Sequence, residues 1–391
     1  VTADARARTG LWLVGARGSV GTTAALGLAA LAGGHAGAEG CVTAGDAFAG
    51  LPLPGWGDLV VGGHDVSDVS LTKRAEALVD AGMIPAPLLA ATAHALDAAD
   101  GEVRPGYRGA LPPGRTQQQV AEHLAADITG FAERHALARV VVVDVSSTEA
   151  PVADAPEHHD PGALATALAE PDRAVLPPSS VTALAAVLAG AAYAGFTPSA
   201  GLGLPALQRL ARDRGVPVAG QDGKTGQTWL RTVLAPGFTD RGLRVLSWAG
   251  TNLLGGGDGA TLADPEAVRS KLATKTRGLR DLTGSEVTPL HIDHVPDLGD
   301  VKVAWDHVHA QGFLGSRITL QTTWSAYDSM LAAPMVLDLA RLLALAHAAG
   351  VHGVVPELGF FFKDPWGSDR HAAADQARDL VGWARGLGAD A

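Results

Sequence analysis

One cysteine, Cys41, stands in 391 residues. An intramolecular disulfide and a cysteine cluster for zinc are therefore excluded, and a reducing cytoplasm is the expected setting. No apolar run reaches the ~18 residues a membrane span requires, and no charged-then-apolar signal pattern opens the chain. A soluble cytoplasmic protein with no membrane partner is the expectation. Basic charge is also short: the formal net charge is −11, which argues against a general nucleic-acid binder. No internal repeat, low-complexity tract or heptad pattern is present. At this length, two domains or one elaborated α/β domain are expected.

Lysine is the scarcest charged residue type. Only Lys73, Lys224, Lys271, Lys275, Lys302 and Lys363 occur, and arginine supplies the rest of the 30 basic residues. Where arginine carries the surface charge, a retained lysine suggests chemistry, because a buried ammonium can shift its pKa and exchange a proton whereas a guanidinium stays charged. Lys271 and Lys275 lie four apart in RSKLATKTR. On a helix they share one face. That face is either solvated or aimed, two amines together, into a cleft.

Leu11–Val14 reads as a buried strand, followed by GARGSVGTT and an Ala/Leu-rich helix. Strand, glycine turn and helix is the arrangement that lets backbone approach a pyrophosphate at a helix N-terminus. The spacing, Gly15, Gly18 and Gly21, is G-x-x-G-x-x-G rather than the standard G-x-G-x-x-G. Asp58–Val61 is a second strand, with Asp65 at its end, where an acidic group suits a ribose hydroxyl. Residues 97–115 read as an irregular insertion, Gln117–His135 as a helix and Val140–Val145 as a buried parallel strand. Ser146, Ser147 and Thr148 cap that strand with hydroxyls. His158 and His159 read as solvated loop residues.

Ser180–Ala194 and Pro205–Arg214 read as helices. Between them lies FTPS, and a short strand, Val216–Ala219, then delivers GQDGKTGQT. Its spacing is not that of a Walker A loop, but Asp222, Lys224 and Thr225 together at a strand end suggest a site. From Trp229 the pattern shifts, with strands expected at Leu243–Ser247, Val287–His291 and Arg317–Thr322. These suggest a second, mixed α/β domain with the strand at Ile318–Gln321 near a sheet edge. Asp300 and Lys302 lie two apart between them. Ala332–Ala349 reads as an apolar helix, Lys363 follows three phenylalanines, and Ala372–Leu387 closes the chain.

Taken together, these motifs resemble the myo-inositol-1-phosphate synthase (inositol-3-phosphate synthase) family nearly end to end. The glycine turn Gly15–Gly21, Gly62–Asp65 (family GGWD), Ser147–Thr148–Glu149 and Phe196–Ser199 are similar to its cofactor elements. GQDGKTGQT is similar to its G-D-D-x-K-S/T-G-Q-T, Ser270–Lys275 to SK-x-x-x-K, Gly299–Asp306 to GDSK-x-A-x-D and Gly353–Pro365 to GVVPE-x-x-FFFK-x-P. Four departures stand out: GGHD for GGWD, Gln221 for the first acid of GDD, Val301 for the serine of GDSK, and a GGGDG loop at 255–259.

The resemblance implies an α/β fold. A Rossmann-like NAD-binding domain (1–228 and 331–391) is completed by the C-terminal segment, beside an α+β catalytic and oligomerisation domain (229–330) that builds a homotetramer. NAD contacts are implied for Gly15, Gly18, Ser19, Val20, Gly21, Asp65, Ser147, Thr148, Thr197, Asp222, Gly257, Asp258 and Asp328. Substrate contacts are implied for Lys224, Thr225, Gln227 and Lys275. No metal ligand is identified, and a divalent or monovalent cation requirement is left open. The implied reaction is redox-neutral. Hydride leaves C5 of a hexose 6-phosphate for NAD, an enolate at C6 attacks the C1 aldehyde, and the ring ketone takes the hydride back. Lys363 and Lys271 are expected at the C5 oxygen, Lys302 held by Asp300 at the C1 oxyanion, and Lys275 and Lys224 at phosphate or cofactor. Three other functions remain open: closure of fructose 6-phosphate to a five-membered cyclitol phosphate, as in carbocyclic-nucleoside pathways, a simple NAD dehydrogenase that would accumulate NADH, and NAD binding without catalysis.

Overall fold

In the computed structural model, residues 7–255, 278–284 and 290–389 are described. The first half of the chain alternates strand and helix: β1 (Thr9–Val14), α1 (Ser19–Ala32), β2 (Leu59–Asp65), α2 (Leu71–Asp80), α3 (Ala86–Asp100), β3 (Val103–Pro105), α4 (Gln117–Arg134), β4 (Arg139–Asp144), α5 (Pro161–Leu168), α6 (Pro178–Leu188), β5 (Ala192–Gly195), α7 (Pro205–Asp213), β6 (Pro217–Gly220) and α8 (Gln227–Thr239). Then come β7 (Arg244–Leu254), β8 (Leu290–His294), β9 (Val301–Gln311), β10 (Arg317–Tyr327), α9 (Asp328–Ala348), β11 (Gly353–Val354) and α10 (Ala373–Ala389).

Seven strands form one sheet in the order β11-β6-β5-β4-β1-β2-β3, with every pairing parallel. The period-two side-chain alternation sorts its core into two layers. Leu11, Leu13, Val141 and Val143 face α1 and α9, whereas Trp12, Val140 and Val142 face α4 and α6. Helices on both faces of a parallel sheet, with the order reversing between β1 and β4, make a doubly wound Rossmann-like fold. The last strand, β11, comes from the C-terminal segment and pairs with β6. A second, four-stranded sheet, β10-β9-β7-β8, is mixed: β7 and β8 run parallel and the other pairs antiparallel. As expected, β10 is at its edge. Helix α8 packs on this sheet through Ala235 and Phe238 against Val245, Trp248, Val308 and Ala310.

The helix expected over 180–194 ends at Leu188, and Ala192–Gly195 is the inner strand β5 instead. Ala, Tyr and Gly are poor strand signals by composition, and the pairing with β4 and β6 overrides them. The irregular stretch expected over 97–115 holds the end of α3 and the strand β3. Helix α8 carries Pro236 inside it and gives little helical signal, and β9, where no strand is expected from the sequence, buries every second residue, Lys302 and Asp306 among them. Helix α9 is long and apolar enough to cross a membrane by length and composition, yet 72% of its apolar window is buried inside this fold. It behaves as a core helix.

Candidate active site

Between β1 and α1 the chain turns through Gly15, whose φ of +82° is the left-handed region that glycine tolerates. A Cβ there would sit 2.8 Å from the Ser146 Cα, and one at Gly21 would sit 2.5 Å from the Ala16 carbonyl oxygen. The His64 carbonyl accepts the Gly15 and Ala16 amides at 2.9 and 3.3 Å, which pins the turn to β2. Helix α1 starts without a side-chain cap. Its first amides therefore face outward as ready anion donors.

Gly18, Ser19 and Val20 open onto a cavity of about 490 Å³. Ser146, Ser147 and Thr148 beyond β4, and Thr197 beyond β5, line its next wall. Asp222, Thr225, Asp300, Lys302, Asp328 and Lys363 line the far side, where the two sheets meet. These residues come from seven separate segments, and the Rossmann-like layer supplies its share at the C-terminal ends of its parallel strands, where ligands of such sheets bind.

Two buried amines reach this far side. Lys363 Nζ lies 2.7 Å from Asp222 Oδ1, and the other Asp222 oxygen is buried without a hydrogen-bond partner among the described residues. Asp222 is held at a φ of +62°, with its backbone carbonyl accepting the Lys363 amide. The expected Asp300–Lys302 pair is corrected: Lys302 Nζ bonds Asp328 Oδ2 at 3.2 Å, because β10 runs directly into α9 and sets Asp328 opposite the start of β9. Thr225 donates to the other Asp328 oxygen at 2.7 Å. Asp300, half-buried, has its carboxyl raised by desolvation, with Arg74 pulling it the other way.

Three more expectations are corrected by position. Gln227 does not line the cavity; it is buried in a network, donating to Asp306 at 2.9 Å and accepting from Asn252 at 2.7 Å. Lys224 turns away from the main cavity to donate to Gln376 on α10, and it borders a small second cavity with Thr228, Arg231 and His371. Burial pushes its amine down to about 7. Asp65 is likewise not in the cavity wall, since its carboxylate accepts the Arg17 amide at 2.6 Å and the Ser67 amide at 2.7 Å. Lys271, Lys275, Gly257 and Asp258 lie outside the described residues.

Arg74 on α2 and Ser329 on α9 line the cavity without having been singled out. Arg74 had no sequence signal, because an arginine on an amphipathic helix reads as surface charge. Of the departures, His64 points away from the cavity, accepting the Trp12 indole N–H at 3.0 Å and meeting Asp127 at 3.2 Å. Val301, in contrast, lines the cavity wall. Among the described residues no group of three His, Cys, Asp or Glu is gathered for a metal ion.

Fold and glycine turn together define a Rossmann-like, NAD-binding protein. The uncapped helix N-terminus and the close-packed glycines fit a dinucleotide pyrophosphate, and the unpartnered Asp222 oxygen fits a neighbouring donor. The model of the NAD-binding myo-inositol-1-phosphate synthase family matches residues 9–385, and the chain belongs to that family. Inositol-3-phosphate synthase 1 of Bacteroides thetaiotaomicron is 34% identical over 265 residues, 66% of this chain and 62% of that protein. Inositol-3-phosphate synthase 1 of Rattus norvegicus is 31% identical over 346 residues, 81% of this chain and 61% of its own. The chain thus spans about three-fifths of these relatives' length. The structure of inositol-3-phosphate synthase from Caenorhabditis elegans superposes with a TM-score of 0.84 at 24% identity, covering 98% of this chain and 86% of that one. A myo-inositol-1-phosphate synthase-related protein from Thermotoga maritima gives 0.77 at 23% identity, covering 96% and 98%. At these identities the structural likeness concerns the fold.

Proposed function

We propose that the protein is a redox-neutral cyclase that converts a hexose 6-phosphate, glucose 6-phosphate, to a cyclitol phosphate, myo-inositol 1-phosphate, using NAD catalytically. One observation carries this reading: Lys363 and Lys302 enter one cavity beside the glycine turn, each paired with a carboxylate, Asp222 and Asp328. NAD, when bound, takes up a hydride and returns it. The chain's own groups would handle charge and protons.

Every step of such a cyclisation develops negative charge on oxygen, and fixed ammonium groups in a water-poor cavity stabilise it most. Lys363 would face the C5 oxygen together with Lys271, accepting and returning the hydroxyl proton. Lys302, oriented by Asp328, would hold the C1 oxyanion. Lys275 and Thr225 would serve the phosphate. Lys224 and Gln227 would act from behind the wall, fixing the loop and helix that carry Thr225. The NAD-binding unit would comprise 1–228 and 331–391 and the catalytic unit 229–330, in a cytoplasmic homotetramer.

Val301 in the cavity wall, where the family motif has serine, makes the sugar the point to test. Pure protein with NAD would be given glucose 6-phosphate and, separately, fructose 6-phosphate, read by phosphorus and carbon NMR. An isomeric cyclitol phosphate from glucose 6-phosphate without NADH build-up is expected. Product from fructose 6-phosphate alone would replace the substrate. Product from neither would replace catalysis with binding.

A further inference from the structure

Arg74 starts from the first turn of α2, half-buried, and turns inward. Its Nε donates at 3.1 Å to the Arg17 carbonyl oxygen, inside the glycine-rich turn. The side chain lines the main cavity with Gly18, Ser19, Val20 and Asp300. Among the described residues, its two terminal nitrogens have no hydrogen-bond acceptor. A guanidinium with one N–H anchored on a loop carbonyl is held in a fixed plane, and its remaining donors form a fork suited to phosphate oxygens.

The charge balance at this end of the cavity calls for that fork. A dinucleotide pyrophosphate carries two negative charges, whereas a helix N-terminus offers roughly half a positive one. Arg17 is adjacent in sequence but committed elsewhere, to Asp100 at 2.8 and 3.1 Å and to the Ser67 carbonyl at 2.8 Å. Lys302 and Lys363, the other cations among the described lining residues, are paired with Asp328 and Asp222 at the far side. Arg74 is the cation at the glycine-turn end.

We propose that Arg74 anchors the cofactor: its terminal nitrogens bind the pyrophosphate seated on α1, and its charge couples that anion to Asp300 across the cavity. This rests on the NAD reading above. The coupling follows from electrostatics. Arg74 lowers a carboxyl that burial raises, so an anion that engages Arg74 lets Asp300 take up a proton more readily. Cofactor occupancy thereby tunes a carboxyl at the entry to β9, two residues from Lys302.

The test is isothermal titration of NAD, ADP and adenosine into the wild-type chain, Arg74→Gln and Arg74→Lys. Adenosine lacks the phosphates and reports only the nucleoside contacts. Loss of a charge-assisted phosphate contact is expected to weaken NAD and ADP about ten- to a hundredfold in Arg74→Gln, with adenosine unchanged and part of the loss recovered in Arg74→Lys. Binding of ADP by Arg74→Gln within twofold of wild type would overturn the inference. So would an equal loss for adenosine, which would mark damage to the fold rather than a lost phosphate contact. Wild-type protein that binds neither NAD nor ADP would instead sink the cofactor reading itself.

Discussion

A buried ammonium survives in a low-dielectric wall only where a carboxylate compensates it, and Lys363 has that partner in Asp222. Replacing Lys363 with Ala removes the proposed C5-oxygen group while leaving the glycine turn intact. Turnover is expected to fall by about 10²–10³ or more, with NAD affinity near wild type; single-turnover assays beside NAD titration separate the two, and retained turnover would end the assignment. A second residue writes itself into stability. Asp144, wholly buried at the end of β4, accepts from the Ser146 amide and hydroxyl, and burial still lifts its carboxyl to about 6. The folded state therefore binds this proton more tightly than the unfolded chain. Its contribution is favourable below about pH 4 and is lost as pH rises to about 6, on the order of 3 kcal/mol by neutral pH. Asp144→Asn keeps an acceptor for Ser146 and should raise the urea midpoint at pH 7.5 while matching wild type near pH 4. Equal midpoints at pH 7.5 would show the carboxyl to be better solvated than its burial implies.

Among the elements, α8 is the one that joins the site to the second sheet. Arg231 donates to Asp306 at 2.9 and 2.5 Å, Gln227 at 2.9 Å and the Trp248 indole at 2.9 Å, so three side chains from α8 and β7 converge on one carboxylate from β9. Glycine is required at 250 by the same convergence, since a Cβ there would fall 2.9 Å from Asp306 Oδ1. Asp306→Ala leaves the Arg231 charge buried and unpaired, and a loss of about 3–5 kcal/mol is expected by chemical denaturation. A loss below 1 kcal/mol would mean that water replaces the carboxylate. The family motif that contains Asp306 was legible in the sequence. Its job was not, because the buried network joins Asp306 to residues 58 to 79 positions away and leaves no local pattern. The same holds for β5, whose strand state comes from its neighbours, and for β9, whose buried face mixes Lys302 and Asp306 with Ala304, Val308 and Ala310.

At the scale of the whole molecule, β10 passes into α9 without a linker, so the edge of the four-stranded sheet is joined directly to the core helix of the Rossmann-like layer. That sheet leaves apolar residues open: Phe313 and Leu314 are 85% and 90% exposed at the β9–β10 turn, with Trp305 and Ile318 also exposed. Patches of this kind mark association surfaces. The proposed homotetramer should sediment at four times the chain mass in analytical ultracentrifugation, and Phe313→Asp with Leu314→Asp should shift it to smaller species. A wild-type monomer at micromolar concentration would refute the assembly.

What the sequence alone determined is what local chemistry encodes: the glycine turn after a buried strand, the valine run of an inner parallel strand, the scarcity of lysine, and the ordered motifs that mark the family. What only the tertiary structure decided is pairing. Asp328 rather than Asp300 holds Lys302, Lys224 and Gln227 stand behind the wall instead of in it, and Arg74 faces the cavity although its helix pattern reads as surface. Composition and spacing carry which residues are present and which face of an element they share. The distance between side chains on different elements is set by how sheets and helices pack, and charge partners are chosen by that distance.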